Sequence, residues 1–282
     1  MSVVVGIDVG GSTTKIVAFK YCDGKRELIS PQFVKANDPM TSIYGAFGKF
    51  TDENRIALSD IDRIMMTGVG SSFVKRGLYG QECISVPEFK SIGLGGLYIS
   101  ELDEALVVSM GTGTALVHAK RDGDMRYLGG TGVGGGTIMG LSRLLLNAES
   151  VEHIIEFAEG GALGNVDLKI KDMTADGSLS ELSRDLTASN FGNISDLATK
   201  EDISAGLVNM VMETVGMMSV FAARSAGVKN IVLTGNITQF DICKNKFSEF
   251  NDIYKSEGLK FTTPALSPFA TAIGTALCGK VK

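Results

Sequence analysis

GIDVGGSTTK, residues 6–15, is an apolar run that ends on an acid, turns through two glycines and resumes as β-forming residues. Val3–Asp8 reads as a buried strand. Gly10 and Gly11 permit the positive-φ geometry of a tight turn, and Thr13–Tyr21 regains strand character. In a P-loop or a dinucleotide fold such a turn opens a helix; here it opens a strand, which argues against both. Backbone N–H groups in the turn can converge on phosphate oxygens. Ser12, Thr13 and Thr14 add hydroxyl donors and Lys15 adds a positive charge. Asp23-Gly24 then offers a hairpin turn into Lys25–Ile29, so three antiparallel strands are expected in succession.

The same pattern restarts further along. Ala105–Ser109 reads as a strand, Gly111–Gly113 as a turn, Thr114–Lys120 as a strand, and Asp122-Gly123 as a hairpin signal before Met125–Leu128. Gly10 and Gly111 lie 101 residues apart. Two β-centred lobes are therefore expected, 1–104 and 105–282, with the final helix packing back near their junction. Each would carry one glycine hairpin. Gly111 and Gly113 would let backbone approach an anion, and Thr112 and Thr114 supply hydroxyls.

Composition is consistent with a folded, enzyme-sized chain. Of 282 residues 44% are hydrophobic and 21% charged, and the formal net charge is −5, which disfavours a dominant nucleic-acid or anionic-membrane surface. The start lacks a signal-peptide pattern, no stretch has the apolar length of a membrane span, and the chain reads as cytoplasmic. Cys22, Cys83, Cys243 and Cys278 are too scattered for a metal-ligand pattern, and His118 and His153 are isolated; reduced, packed thiols are expected.

Glycine is the outlier at 35 residues. Six fall within 129–136, in GGTGVGGGT, before an expected helix over Thr137–Asn147. Close backbone approach to a ligand is the expected reason for Gly134, Gly135 and Gly136, with Thr137 at a helix end that favours negative charge. Ile61–Thr67 reads as a strand feeding a loop that holds Ser71 and Ser72. Helices are expected over 89–102, 149–159, 200–226, 244–257 and 268–279, the last rich in small residues. Residues 160–199 read as irregular and polar. Ile231–Thr234 reads as a strand delivering Gly235 and Asn236 to a loop.

Taken in order, these stretches resemble the acetate and sugar kinase, heat-shock chaperone and actin superfamily. The resemblance implies an α/β fold: two ribonuclease H-like lobes with mixed β-sheets flanked by helices, and an ATP cleft between them. Within that group the chain is similar to type II pantothenate kinases, through GIDVGGSTTKI at 6–16, VPEF at 86–89, MGTGT at 110–114, GGTGVGGGTIMGL at 129–141, VDLKI at 166–170 and DLTASNFGN at 185–193. What the resemblance implies is ATP- and Mg²⁺-dependent phosphorylation of the primary hydroxyl of pantothenate by a homodimer. Asp8, Gly10 to Lys15, Gly111 to Thr114, Gly134 to Thr137, Gly235 and Asn236 would hold the nucleotide, with Asp8 reaching the metal through water.

By pattern alone Glu88 reads first as an acid complementing its helix dipole; the resemblance makes it the catalytic base. An alcohol acceptor needs a positioned carboxylate to take its proton as the γ-phosphoryl group arrives. Ser71, Arg126, Tyr127 and Gly129 would line the acceptor, and Asp185, Thr187 and Asn190 would contact substrate or cap a helix. The family usually has an arginine where this chain has Tyr127; Arg126, one residue earlier, could replace it only on a shifted or bulged strand. Two other functions stay open: another small-molecule kinase of the superfamily, acting on a sugar, and a non-kinase ATPase switch like the activators of radical dehydratases.

Overall fold

The structure, a computed structural model, describes residues 2–11, 13–35, 38–74, 76–173, 184 and 186–279. The chain opens with β1 (Ser2–Val9), β2 (Thr14–Cys22) and β3 (Lys25–Val34), an antiparallel run joined by the Gly10-Gly11 and Asp23-Gly24 turns. β3 runs past the expected end at Ile29; its Pro31 is tolerated because β3 is an edge strand. α1 (Pro39–Glu53) is capped by Asp38, whose carboxylate accepts from the Thr41 N–H at 2.7 Å. β4 (Ile61–Thr67) and β5 (Cys83–Ser85) extend the sheet in parallel, giving the order β3-β2-β1-β4-β5. α2 (Glu88–Ser100) follows.

β6 (Glu104–Met110), β7 (Thr114–Lys120) and β8 (Arg126–Thr131) repeat the antiparallel run. α3 (Gly135–Leu146) and α4 (Val151–Gly160) come next. The segment expected to be irregular holds β9 (Leu168–Lys169), the one-turn α5 (Ile170–Met173) and β10 (Thr187–Ser189), with β9 and β10 antiparallel. α6 (Lys200–Ala226), β11 (Asn230–Thr234), α7 (Asp241–Ile253), β12 (Lys260–Thr262) and α8 (Ala270–Leu277) complete the chain. The second sheet is ordered β12-β11-β6-β7-β8, with β11 parallel to both β6 and β12. Read from its own first strand outward, it has the arrangement of the first sheet. The sequence repeat is thus a structural repeat.

The expectation that no stretch has the apolar length of a membrane span needs correction: α6 is long and apolar enough by length and composition, but 61% of its most apolar stretch is buried inside the protein. Leu207, Val208, Val211, Met212 and Val215 pack into the core of the second sheet with Leu106, Val108 and Leu233.

α2 and α8 lie between the two sheets and cross at close range. A Cβ on Gly95 would overlap the Ala270 carbonyl, and one on Gly274 the Ser91 carbonyl. α8 covers the first sheet, where Gly6 leaves room for Ala272 and Ala276. α2 covers the second, with Gly96 against Val107 and Gly93 against Met125. The first sheet therefore borrows its covering helix from the far part of the chain, while the second is covered by the helix that directly precedes it.

Candidate functional site

The two glycine hairpins face each other. The first is closed by a Gly10 N–H to Thr13 carbonyl bond of 3.0 Å, the second by Gly111 N–H to Gly113 carbonyl at 2.9 Å. A Cβ on Gly11 would come within 3.4 Å of the Thr112 hydroxyl. Asn236 reaches the same place, its amide donating to the Thr13 hydroxyl at 3.4 Å. Gly235 has φ +103 and lies against the Met110 backbone, so no side chain fits there. Gly10, Gly11, Thr13, Gly111, Thr112, Gly113, Gly235 and Asn236 thus converge. Ser12 lies outside the described residues.

The glycine run is braced on the second hairpin. The N–H groups of Gly135 and Gly136 donate to the carbonyls of Gly111 and Thr112 at 2.9 and 2.8 Å. Cβ atoms on Gly134 and Gly136 would come within 3.0 Å of that hairpin. Beside the expected approach to a ligand, the packing of backbone against backbone is thus a second reason for these glycines. Gly134 precedes α3, and Thr137 bonds the loop, its hydroxyl donating to the Gly132 carbonyl and accepting from the Gly134 N–H.

Two other expected phosphate hydroxyls also have protein partners. Thr14 is buried and its hydroxyl accepts from Ser42 of α1 at 2.7 Å. The Thr114 hydroxyl donates to the Val133 carbonyl at 2.9 Å. Both bonds brace the loops.

Charge is concentrated at the end of β1. Asp8 sits opposite Lys15 on β2 and beside Thr67 on β4. Burial pushes the Asp8 carboxyl above the usual carboxylate range, with the Lys15 charge offsetting part of the effect. Burial likewise lowers the ammonium of Lys15, and Asp8 opposes that.

From here the backbone leads directly to Glu88. The Thr67 hydroxyl donates to the Val86 carbonyl at 2.9 Å, and the Val86 N–H to the Met66 carbonyl at 2.8 Å. Pro87 then starts α2, and Glu88 is its first residue. The Glu88 side chain is open to solvent, but surrounding protein pushes its carboxyl upward in pKa, and the negative charge of Asp8 adds to this. Two carboxylates that sense each other at the mouth of paired anion-binding turns suit proton acceptance beside a phosphoryl group.

On the acceptor side, Ser71 is half-buried and donates to the Gly68 carbonyl at 2.7 Å. β8 does carry a bulge: Gly129 pairs with Leu116 and Tyr127 with Val117, leaving Leu128 unmatched. It falls after Tyr127, so Tyr127 stays on the α2 face, where its ring stacks on Phe89 with centroids 3.9 Å apart and planes 10° off parallel. Arg126 pairs with His118, one step along, and occupies the opposite face. The strand therefore does not bring Arg126 to Glu88. Gly129, at φ +139, has open space where a side chain would be.

Thr187 and Asn190 hold α6, donating to Glu213 at 2.8 and 3.1 Å, while buried Asp167 accepts from Asn209 and from the Phe191 N–H. These bonds brace α6, and Asp185 lies outside the described residues. The sequence reading missed a cavity of about 500 Å³ between α4, α6 and α7, whose lining includes Gly161, Val208, Met212, Ile242 and Asn245. It does not include Glu88, but α7 begins just after the Gly235–Asn236 loop. No periodicity marks it, because its walls come from three separate helices.

The Fumble family profile matches residues 98–278. The type II pantothenate kinase of Bacillus thuringiensis subsp. konkukian (strain 97-27) is 30% identical over 256 residues, 87% of this chain and 85% of that protein. That of Oceanobacillus iheyensis is 29% identical over 247 residues, 82% and 83% of the two chains. Among solved structures, component A of the (R)-2-hydroxyglutaryl-CoA dehydratase of Acidaminococcus fermentans superposes with TM-score 0.69 at 17% identity, over 99% of this chain and 97% of that one. The activator of 2-hydroxyisocaproyl-CoA dehydratase from Clostridium difficile, with bound ADPNP, gives 0.67 at 16%, over 98% and 93%. At these identities the structural likeness is one of fold. Cys243 is buried in the core beside Met212, and Cys22 is exposed on the far end of β2. Among the described residues no three His, Cys, Asp or Glu side chains form a metal-holding group.

Proposed function

Because the chain belongs to the Fumble family, whose members matched here are type II pantothenate kinases, we propose that it transfers the γ-phosphoryl group of ATP to the primary hydroxyl of pantothenate, giving 4'-phosphopantothenate on the route to coenzyme A. The observation that carries the chemistry is Glu88, which follows two residues after Val86, bonded to the Thr67 neighbour of Asp8, and which senses the Asp8 charge. ATP lies with its phosphates between Gly10–Thr13 and Gly111–Gly113, and the cavity beside α7 is of a size for the base.

The donor set fits Mg²⁺. Asp8 is one crowded carboxylate whose burial disfavours its charge; it would hold the ion through water, and a divalent cation there would relieve that cost. When bound, the ion neutralises charge on the transferring phosphoryl group. Glu88 takes the hydroxyl proton as the acceptor oxygen engages phosphorus. The N–H groups of the hairpins hold phosphate oxygens without reorganising.

In this reading the lobes are 1–104 and 105–282 and the enzyme is a cytoplasmic homodimer. Exposed Leu144 and Leu145 on α3 and Phe221 on α6 are apolar surface available to a second copy. The experiment is ATP turnover by the full chain against pantothenate and a panel including an amino sugar, with Glu88→Ala alongside. Turnover on pantothenate, lost by about 10²–10⁴ in the variant with nucleotide binding intact, is expected. A sugar taken in preference would replace the acceptor assignment, and full activity in Glu88→Ala would remove the base.

A further inference from the structure

Glu88 stands between two anchors that belong to different sheets. On one side Val86 is fixed to β4 of the first sheet, its carbonyl accepting from the Thr67 hydroxyl at 2.9 Å and its N–H donating to the Met66 carbonyl at 2.8 Å. On the other, the Phe89 ring stacks on Tyr127 of β8 in the second sheet, with centroids 3.9 Å apart and planes 10° off parallel. Between the anchors lie Pro87 and Glu88, and the proline ring fixes its own φ. Little backbone freedom is left in that span.

The tip of α2 depends on these anchors. Pro87 is its N-cap and makes no side-chain capping bond. Farther along, the helix meets the second sheet through glycines, Gly93 against Met125 and Ala119, and Gly96 against Val107. Phe89 is one helical turn before Gly93, and Tyr127 is two residues after Met125, so the stack extends this contact to the start of the helix. Tyr127 is itself held in place. It pairs with Val117, the bulge at Leu128 leaves it on the α2 face, and Gly130 leaves room for its hydroxyl, which a Cβ there would approach to 2.9 Å. The rings are 38% and 45% exposed, so the stack buries little apolar surface. The Glu88 side chain is open to solvent, and its place is set chiefly by its backbone.

We propose that Tyr127 is a positioning residue: by stacking on Phe89 it holds the first turn of α2 against the second sheet and so sets where the Glu88 carboxylate stands. This rests on the kinase reading above, in which Glu88 takes the acceptor proton. A base displaced by about 1 Å loses on the order of 10²-fold in rate. β8 adjoins β7, which carries the second hairpin, while Val86 is bonded beside the first. The base is thereby tied to both hairpins at once.

The test is a set of double-mutant cycles on kcat, using the full chain, saturating ATP and whichever acceptor of the panel it turns over. Tyr127→Leu and Phe89→Leu each remove one ring, and each should lower kcat by about tenfold or more with KM for ATP near the parental value. Together they should cost little more than either alone, because they break one contact. Tyr127→Phe keeps the ring and should restore most of kcat. In a Glu88→Ala background Tyr127→Leu should change kcat by less than about twofold, since the group it positions is gone. An undiminished loss in that background overturns the proposal, as does a Tyr127→Phe variant as slow as Tyr127→Leu. So does a Tyr127→Leu variant whose KM for the acceptor rises while kcat holds, which would make the ring an acceptor contact. If one ring variant does not fold, the other carries the same cycle with Glu88→Ala. Parental kcat in Glu88→Ala, or turnover of no acceptor, removes the kinase reading and the proposal with it, whereas the earlier outcomes strike the positioning alone.

Discussion

The two glycine hairpins sit at matching positions in sheets of matching strand order, yet the first pairs Asp8 with Lys15 where the second pairs Ser109 with Ala115. They are braced differently as well. The first is held from α1, through Ser42 and Thr14, and the second from within its own half by the glycine run. The same backbone device can therefore do two jobs. One turn supplies a charge whose burial keeps it under tension, and the other supplies a neutral cradle of N–H groups that needs no counter-ion.

Breaking what joins the halves should have the largest effect. Gly95→Val pushes a side chain into the Ala270 carbonyl at the crossing of α2 and α8, and should cost about 3 kcal/mol or more. Both sheets depend on that crossing, so a single lowered Tm is expected in calorimetry; two separate transitions would show the halves to be independent.

Asp8→Asn tests whether charge belongs to the first hairpin alone. Turnover should fall by on the order of 10²-fold, and the residual rate should show a changed pH profile. Glu88 must be ionised to accept a proton, and Asp8 disfavours that ionisation. Removing Asp8 lowers the Glu88 pKa, so the acid limb of kcat/KM should move to lower pH. A limb that stays put would disconnect the two carboxylates.

A matched pair of substitutions sharpens the bracing. Thr14→Val and Thr114→Val each remove one hydroxyl bond and should each cost about 1 kcal/mol in urea unfolding. Only Thr114→Val loosens the glycine run, so it should raise the KM for ATP more than Thr14→Val does; equal changes would mean that the run is held some other way.

The smallest effect belongs to Lys35 and Glu152, whose 2.7 Å ion pair links the end of β3 to α4 across the two halves. It is exposed, and Lys35→Ala should cost about 0.2–1 kcal/mol, the difference shrinking in high salt.

Much of this was legible in the residues. Hairpins announce themselves because glycine pairs interrupt β-forming runs, and β4 and α6 have the residue bounds their patterns imply. β5 and β12 were not foreseen, since three residues carry no period. The glycines in the α2 stretch SIGLGGL were passed over, although they set its contacts with α8 and the second sheet. Their meaning depends on partners outside the helix, that of Gly95 on Ala270 near the other end of the sequence, and no local pattern shows that. The faces of Arg126 and Tyr127 were settled by where one bulge falls, a choice made by packing of Leu128 against the core.

The crossing of α2 with α8 also sets an order of events during synthesis. Gly6 of β1 lies against Ala272 and Ala276, residues made about 270 positions later. As the chain leaves the ribosome, the first sheet can pair its strands early, yet one of its apolar faces stays bare until α8 emerges. Until then that face is a surface for chaperones to shield.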